Sequence, residues 1–443
     1  TLDGLRAQAL SVLGEQLGGS DGSPRYVVGN GLSWPRTDFI VLRKSGIGVC
    51  DAEGHALPVQ PHPDGTAVRV PVGSLAVMAV RECPAKDSAQ PTAFKRSDDG
   101  LETPYYSVEF DSVGRITSLV DKACGREIVQ PGRTLNGLYT AEDFPIYWDA
   151  FDLDGFYRDV VVQEERLESR EVVADGPLFI TYRSVYRIGR HSTLCQDMTF
   201  YAESRRIDFK TEVDWNERHC LLKAGFAVDV QSDALRSEIQ FGHINRPRHR
   251  NTAQDRARFE VCAHKWVDVS EPGYGVALLN DCKYGHDTLD DMVSITLLRS
   301  VGGANENSDT GRHTFTYSLL PHDHGFDVAH VVREAYALNT PLTWSTAPCA
   351  GGNASALEFC SADHPNIVIE TVKKAEADDA VVVRMYEAGG ARVNATLQFA
   401  LPVASAAECN LLERQDETVA VEGNAISFVA RPFEIKTFKV YLQ

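Results

Sequence analysis

Residues 206–215 read Arg-Ile-Asp-Phe-Lys-Thr-Glu-Val-Asp-Trp, and apolar side chains alternate with charged ones along this stretch. A period of two is typical of an antiparallel strand with one face on a core and the other in water. The predicted core face carries Ile207, Phe209, Val213 and Trp215. The predicted solvent face carries Arg206, Asp208, Lys210, Glu212 and Asp214. The stretch therefore indicates an antiparallel β-protein.

Strand patterns recur on both sides of this stretch. Between residues 101 and 324 they occupy 106–110, 116–120, 178–186, 194–200, 222–230 and 293–298. Because almost no helical pattern separates them, they favour a large antiparallel sandwich over alternating β–α units.

Two segments show helical spacing instead. Residues 1–19 carry leucines three and four positions apart and end at Gly18-Gly19. The apolar stripe of this helix packs either on the next domain or on helical partners that lie upstream. In the second case, we expect Leu10, Leu13 and Leu17 to contribute to an exposed apolar patch that promotes self-association or a homo-oligomer. A second helix is predicted around residues 328–336, with Asp327 as its N-cap.

The fold class predicted from these patterns is mainly β, with one N-terminal helix followed by three β-domains. Residues 1–19 form the helix, which the resemblance described below implies is the terminal helix of a lost helical segment, and residues 20–85 form a small β-sandwich. Residues 86–342 form a large antiparallel super-sandwich, and residues 343–443 form a small C-terminal β-sandwich.

Composition excludes several classes of function. The 443 residues carry 44 Lys and Arg against 62 Asp and Glu, a net charge of −18. We expect no nucleic-acid partner, because phosphate binding requires a basic face. We expect no membrane association, because no apolar run approaches the roughly 20 residues of a spanning helix. The ten cysteines are scattered without a Cys-x-x-Cys motif, which favours a reduced, cytoplasmic protein.

Aromatic and carboxylate side chains interleave in residues 147–157, Tyr-Trp-Asp-Ala-Phe-Asp-Leu-Asp-Gly-Phe-Tyr. Rings that stack on sugar C–H faces and carboxylates that accept hydroxyl hydrogen bonds are typical of a sugar site. The alternative is an acidic surface loop whose aromatic rings anchor it in a core.

Three weaker groups accompany this segment. Residues 243–252 form a basic island, which either holds anions and polyols or is a solvated loop. Residues 279–287 follow a strand with many donors and acceptors, which either open onto a polar site or form a turn. The histidines His62, His313, His322 and His324 lack the three or four converging ligands that a zinc site needs, so no metal site is predicted in this chain.

Several motifs together resemble glycoside hydrolase family 38, the α-mannosidases, and particularly their cytosolic and bacterial branch. They are QFGHINRP at 240–247, ARFEVCAHKW at 257–266, YGVALLNDCKYG at 274–285, WDAFD at 148–152, GRHTFTYSLLPH at 311–322 and RPFEIKTF at 431–438. The likeness covers nearly the whole chain.

The resemblance implies a galactose-mutarotase-like super-sandwich and a parent enzyme whose catalytic barrel lies upstream. The family's zinc ion and aspartate nucleophile belong to that barrel, so we expect no catalytic residue and no cofactor in this chain. His62-Pro63-Asp64 has the letters of the family's zinc pair but lies in a turn pattern, so the role is not transferred. We expect mannose-containing oligosaccharides as partners of the parent enzyme.

The resemblance also implies that the large β-domain closes part of the sugar pocket. The candidate residues at the pocket lip are Lys283, Asp281, Asn251, Asp149 and Asp152. We expect this chain to be the non-catalytic C-terminal part of a zinc-dependent retaining α-mannosidase. The alternatives are a stand-alone carbohydrate-binding module, and a different hydrolase or epimerase that uses Asp149 or Asp152.

Overall fold

The predicted strand at 206–215 forms at Ile207–Trp215 in the computed structural model, which describes residues 2–17, 25–84, 92–288, 292–303, 307–347, 354–414 and 416–443. The strands in chain order are β1 (Arg25–Asn30), β2 (Arg36–Leu42), β3 (Gly48–Cys50), β4 (Val59–His62), β5 (Gly65–Val72), β6 (Ala76–Cys83), β7 (Lys95–Arg96), β8 (Gly100–Glu102), β9 (Tyr106–Phe110), β10 (Ile116–Asp121), β11 (Arg126–Glu127), β12 (Leu135–Glu142), β13 (Val161–Gln163), β14 (Arg166–Asp175), β15 (Phe179–Ile188), β16 (Ser192–Tyr201), β17 (Ile207–Trp215) and β18 (Cys220–Phe226).

The remaining strands are β19 (Ala234–Ile239), β20 (Gly242–Pro247), β21 (Val261–Cys262), β22 (Trp266–Glu271), β23 (Tyr274–Asn280), β24 (Gly285–Asp287), β25 (Val293–Ser300), β26 (Gly311–His322), β27 (Thr343–Ala347), β28 (Ala356–Glu358), β29 (Cys360–Ala362), β30 (Ile367–Lys374), β31 (Val381–Glu387), β32 (Val393–Phe399), β33 (Val403–Cys409), β34 (Glu417–Val419), β35 (Ala425–Ala430) and β36 (Ile435–Leu442). The α-helices are α1 (Leu2–Gly14), α2 (Ala253–Ala257) and α3 (Arg333–Asn339), with a 3-10 turn at Gly155–Arg158 and a π turn at Val328–Val332.

The predicted super-sandwich is confirmed, because two large sheets enclose one apolar core. One sheet has nine strands in the order β14-β15-β16-β17-β26-β23-β22-β19-β20. The other has eleven, in the order β21-β24-β25-β18-β12-β10-β9-β8-β7, with β11 and β13 pairing at its side. The rings of Phe209 in β17 and Phe226 in β18 lie 5.7 Å apart between the sheets. Each such buried side chain contributes about 1.5–3 kcal/mol to stability.

One residue of β17 departs from the predicted pattern. Asp208 was expected on the solvent face, but it is only 8% exposed. Its carboxylate accepts hydrogen bonds from Arg206 Nε at 2.7 Å, Tyr201 Oη at 2.7 Å and Ser318 Oγ at 2.7 Å. Donors from neighbouring strands therefore replace the water that an exposed carboxylate would have.

The chain divides into two compact units. The super-sandwich belongs to the unit formed by residues 90–239 and 243–339. The other unit contains residues 1–89, 240–242 and 340–443. It has two small pairs of sheets: β27-β1-β6-β28 with β3, and β2-β5-β4, at its start, then β29-β32-β35 and β30-β31-β36-β33-β34 near the C-terminus. The predicted mainly-β fold class with a C-terminal sandwich is thus confirmed.

Helix α1 ends at Gly14, earlier than predicted. Leu10 and Leu17 are 6% and 2% exposed, because they pack on Val27, Val77 and Ala79. The prediction that these two leucines form an exposed patch is therefore wrong. Leu13 is 42% exposed.

The second helix is confirmed as the π turn followed by α3. Asp327 Oδ1 accepts the backbone amide of His330 at 2.8 Å, as an N-cap does. The apolar face of this helix is buried through Val328, Val331 and Val332. Among the described residues, no helix is long and apolar enough to cross a membrane.

Candidate functional site

Asp149 lies in the connection between β12 and β13, where two backbone amides hold its side chain. Oδ2 accepts hydrogen bonds from the amides of Gly302 at 2.7 Å and Gly303 at 2.6 Å. Oδ1 is buried and has no hydrogen-bond partner among the residues that the structure describes. One oxygen thus fixes the carboxylate, and the other is shielded from solvent and from any ligand that would approach through it.

Asp152 is exposed and is held through its backbone. Its carbonyl oxygen accepts a hydrogen bond from the guanidinium of Arg299, and its Oδ1 accepts the amide of Leu153 at 2.9 Å. Arg299 Nε also donates to Asp143 Oδ2 at 2.6 Å. Burial raises the pKa of Asp143, and Arg299 opposes that rise. The ion pair therefore anchors the base of this connection and leaves the Asp152 side chain exposed.

Residues 144–156, here called the aromatic segment, expose six large apolar side chains. They are Phe144, Ile146, Tyr147, Trp148, Phe151 and Phe156. Trp148 and Phe151 reach 75% and 85% exposure. The alternative prediction, in which the rings of residues 147–157 anchor the loop in a core, is wrong for Tyr147, Trp148, Phe151 and Phe156 and right for Tyr157, which is 3% exposed and packs with Ala141 and Leu221. A concentration of exposed rings on this scale is typical of a ligand or protein contact surface.

Trp148 also has an unusual backbone conformation. Its φ of 57° lies in the left-handed region, which is costly for a bulky residue. The strain is held by a tight turn, since its carbonyl accepts the amides of Phe151 at 2.6 Å and Asp152 at 2.9 Å. Strained residues of this kind concentrate at functional sites.

Asp281 and Lys283 lie in the turn after β23. Asp281 Oδ2 accepts the amide of Thr316 at 2.9 Å, and its Oδ1 is buried without a hydrogen-bond partner among the described residues. Lys283 Nζ lies 4.5 Å from the centroid of the Phe315 ring, a cation–π contact. Its amide donates to Asn280 Oδ1 at 2.7 Å. The face of the Phe315 ring stabilises the positive charge of Lys283 but accepts no ordinary hydrogen bond. The N–H groups of the half-buried Lys283 ammonium therefore stay available to donate to a ligand.

Asn251 is exposed and lies in the loop before α2. In the adjacent basic island, Arg246 Nη2 donates to the carbonyl of Cys262 at 2.9 Å, and Arg248 Nη1 donates to that of Ser232 at 3.1 Å. These guanidinium groups therefore help to fix the loop against neighbouring backbone.

A small hollow beside this island is lined in part by Arg246, Glu260, His286 and Asp287. Its volume is about 30 Å³, enough for a water molecule. His286 is 0% exposed, its Nδ1 lies 3.1 Å from the carbonyl oxygen of Tyr284, and its Nε2 has no partner within the described residues. Burial lowers the pKa of His286 to about 4, so the imidazole is neutral near pH 7.

Two residues that line the hollow, Glu260 and Asp287, belong to what we call the ion network. Its other members are Lys223, Thr296 and Tyr157. Lys223 Nζ contacts Glu260 and lies 2.8 Å from Asp287 Oδ2. Tyr157 Oη donates to Asp287 Oδ2 at 3.1 Å, and Thr296 Oγ1 donates to Glu260 Oε1 at 2.6 Å. Burial alone would lower the pKa of Lys223, but the two carboxylates raise it above its usual value. The lysine is thus held in its charged form.

Sequence reasoning missed Lys223, because it lies in an apolar strand with no distinguishing pattern. It also missed a cleft of about 800 Å³ whose lining includes Phe144, Glu164, His191 and His219. The rings of Phe144 and His219 stack there at 4.4 Å. The polar run at 279–287 was the one signal that pointed toward His286 and Asp287.

The histidines named from the sequence have local partners. His62 Nδ1 accepts the amide of Asp64 at 3.1 Å in the β4–β5 hairpin. His322 is buried, with Nε2 2.8 Å from Asp268 Oδ2. His313 Nε2 lies 2.7 Å from the carbonyl oxygen of Asp309.

The five predicted lip residues fall into three groups on the large sandwich: Asp149 with Asp152, Asp281 with Lys283, and Asn251. Within the described part of the chain, no hydrogen bond or ion pair joins one group to another. Their role at a sugar pocket stays a prediction.

Comparison with known families agrees with this architecture. Residues 101–304 match the glycosyl hydrolases family 38 C-terminal domain, and residues 366–438 match the glycosyl hydrolases family 38 C-terminal beta sandwich domain. The chain belongs to glycosyl hydrolase family 38 and carries its C-terminal domains.

Similar proteins are α-mannosidases. Alpha-mannosidase 2C1 of Homo sapiens is 36% identical over 444 residues, which cover 96% of this chain and 40% of that protein. Alpha-mannosidase G of Dictyostelium discoideum is 36% identical over 366 residues, 79% of this chain and 33% of that protein. The chain therefore spans at most about 40% of the length of these relatives.

A solved structure shares the fold. The crystal structure of an alpha-mannosidase from Enterococcus faecalis V583 matches 98% of this chain and 58% of its own, with a TM-score of 0.77 and 16% identity.

Proposed function

We propose that this chain forms the non-catalytic C-terminal β-domains of a zinc-dependent, retaining α-mannosidase that hydrolyses terminal α-mannosides. The observation that carries the proposal is the likeness to α-mannosidases over 96% of the chain. The nucleophile and the acid/base carboxyl of such an enzyme belong to another part of the protein. This chain supports that part and contributes to the lip of its sugar pocket.

Under the proposal, the catalytic zinc ion of the parent enzyme is bound by another part of the protein. The pair that has the letters of the family's zinc motif lies in the β4–β5 hairpin, where His62 Nδ1 accepts the amide of Asp64, so the family's zinc role is not transferred to it. No catalytic step is therefore assigned to residues of this chain through zinc.

The side chains described above have suitable chemistry for the lip. The Lys283 ammonium can donate to sugar hydroxyls, and the exposed carboxylate of Asp152 can accept from them. The exposed rings of the aromatic segment offer faces for sugar C–H groups or for the catalytic part of the protein. An isolated chain with this surface uncovered is expected to self-associate.

The compartment follows from the cysteines. Three of the described cysteines, Cys124, Cys262 and Cys282, are free and exposed. Because exposed thiols persist where disulfides are kept reduced, we propose a cytoplasmic location.

The first experiment measures mannosidase turnover by the purified 443-residue chain with zinc. We expect none, and turnover would overturn the assignment of the catalytic groups to another part of the protein. Calorimetry with mannose and oligomannosides accompanies it. We expect weak binding, whereas tight binding by the chain alone would favour a stand-alone carbohydrate-binding module.

The second experiment tests Lys283 in the full-length protein. Lys283→Met should lower kcat/KM by about tenfold or more, because it removes a charged donor to substrate. The comparison variant is Lys265→Met. Lys265 Nζ also lies over a ring, 4.4 Å from the centroid of Tyr336, but it is engaged by Glu238 Oε1 at 3.2 Å and is not proposed to meet substrate. Equal activity of the two variants would remove Lys283 from the lip.

A further inference from the structure

We propose that His324, Asp327 and His330 form a binding site for a divalent transition metal such as Zn²⁺. One ligand atom from each residue lies within 4.8 Å of the other two. His330 Nδ1 is 2.8 Å from Asp327 Oδ2, and the two histidine rings are 5.1 Å apart. This cluster belongs to the large-sandwich unit and shares no residue with the predicted pocket lip.

The backbone that carries the three ligands is fixed on both sides. The carbonyl oxygen of His324 lies 2.9 Å from Nδ1 of the buried His322, whose other ring nitrogen faces Asp268. Between the ligands, the Phe326 ring stacks on Trp266 at 5.0 Å. The site is therefore built on a packed base rather than on a free loop.

The helix side is equally ordered. Asp327 caps the π turn, and Val328, Val331 and Val332 beneath it are buried. The spacing His-x-x-Asp-x-x-His places the third ligand one turn after the second. A π turn at this position is notable, because such turns occur frequently at functional sites.

The donor set suits borderline-soft cations. Two imidazoles and one carboxylate bind Zn²⁺, Co²⁺ or Ni²⁺ and leave at least one coordination position for water. Tetrahedral zinc with bonds of about 2.0–2.1 Å needs ligand atoms roughly 3.3 Å apart. The side chains of His324 and His330 are each 52% exposed, so they can rotate to that separation without disturbing the core.

The charges around the three ligands should give the cluster a moderate affinity for a divalent metal. Asp323 Oδ1 lies 3.3 Å from His324 Nδ1 and adds a second carboxylate, whereas the Arg333 guanidinium acts electrostatically on Asp327. A metal must displace the present His–Asp pairs, so we expect micromolar rather than nanomolar binding.

A second cluster in the chain provides a matched control. Asp51, Glu53 and His55 also place ligand atoms within 4.8 Å of one another. With one imidazole and two carboxylates, this set is harder and suits a borderline-soft cation less well.

The test uses the 443-residue chain, stripped of metal and with its thiols alkylated so that exposed cysteines cannot bind. Isothermal titration with ZnCl₂ should give one micromolar site, and Co²⁺ should give a visible spectrum of nitrogen and oxygen ligation. His324→Ala and His330→Ala should each weaken binding at least tenfold, while His55→Ala should change it less than twofold.

Three results would overturn the proposal. The first is a wild-type chain that binds no Zn²⁺ in this range. The second is binding that survives both His324→Ala and His330→Ala, and the third is binding that is lost in His55→Ala. Circular dichroism of each variant checks folding, which the exposed positions of these histidines should leave intact. The result is independent of mannosidase activity, because the chain is tested without its catalytic part.

Discussion

The aromatic segment and the ion network are neighbours in the sequence, because Tyr157 of the network follows the segment directly. In both regions the exposure of the side chains is the opposite of what their hydropathy predicts. Phe151 is 85% exposed, whereas Lys223 is 7% exposed. Burial in this region therefore follows the availability of partners rather than hydropathy. Lys223 has two carboxylates and a hydroxyl around it, which offset the cost of leaving water. The rings of Trp148 and Phe151 stay 75% and 85% exposed, although Phe144 in the same segment stacks on His219.

The two regions therefore have different expected roles. The ion network is satisfied internally, so its expected role is to hold β18, β24 and β25 together. The aromatic segment is unsatisfied, so its expected role is contact with something outside the described residues. Substitutions in the two regions should accordingly affect different measurements.

The largest expected effect is on the ion network. Lys223→Met should lower the free energy of unfolding by about 3–5 kcal/mol, because it leaves two buried carboxylates without a cation. Urea denaturation measures the change. Lys210→Met, at an exposed position of β17, should change stability by less than about 0.5 kcal/mol. A loss below about 1 kcal/mol at Lys223 would mean that the network is not the stabilising element of this region.

The pH dependence of stability provides a second test of the buried region, because His286 lies beside the ion network. Its pKa is lowered to about 4 by burial in the folded protein, against roughly 6.5 when unfolded. The unfolded chain therefore binds more protons between these values, and stability is full above about pH 6.5 and falls progressively toward pH 4. The free energy of unfolding should fall by about 3 kcal/mol over this pH range because of His286.

Denaturation curves of wild type and His286→Gln at several pH values isolate that contribution. The stability difference between the two proteins should narrow as the pH falls from about 6.5 to 4. His313→Gln, at a less buried histidine, should keep the wild-type slope. Parallel curves for His286→Gln and wild type would show that His286 titrates normally.

The sequence predicted those parts of the fold that depend on local periodicity. The strand at 206–215 and the helix capped by Asp327 were both found, because alternation and capping are properties of neighbouring residues. Asp208 was misplaced because its donors, Tyr201 and Ser318, come from adjacent strands. Leu10 and Leu17 were misplaced for the same reason, since their partners lie in β1 and β6.

The candidate site was less predictable. Motif resemblance located the segments with Asp149 and Lys283, but it could not show that an aspartate would be gripped by the amides of Gly302 and Gly303. Lys223 could not be found at all, because a buried lysine is recognisable only when its carboxylates are brought to it by other strands. The exposure of Trp148 and Phe151 is the opposite of what their hydropathy predicts, so only the structure could show it.

The smallest expected change in stability belongs to the aromatic segment. Phe151→Ser should alter the free energy of unfolding by less than about 0.5 kcal/mol, because an 85% exposed ring contributes little to the core. It should nevertheless weaken self-association of the isolated chain, which sedimentation velocity measures over a range of concentrations. Tyr157→Phe is the control with the opposite signature. Loss of its hydrogen bond to Asp287 should cost about 1–2 kcal/mol and leave self-association unchanged, because Tyr157 is 3% exposed. If Phe151→Ser destabilises the chain as much as Tyr157→Phe does, the ring is part of the core in solution and the contrast between the two regions does not hold.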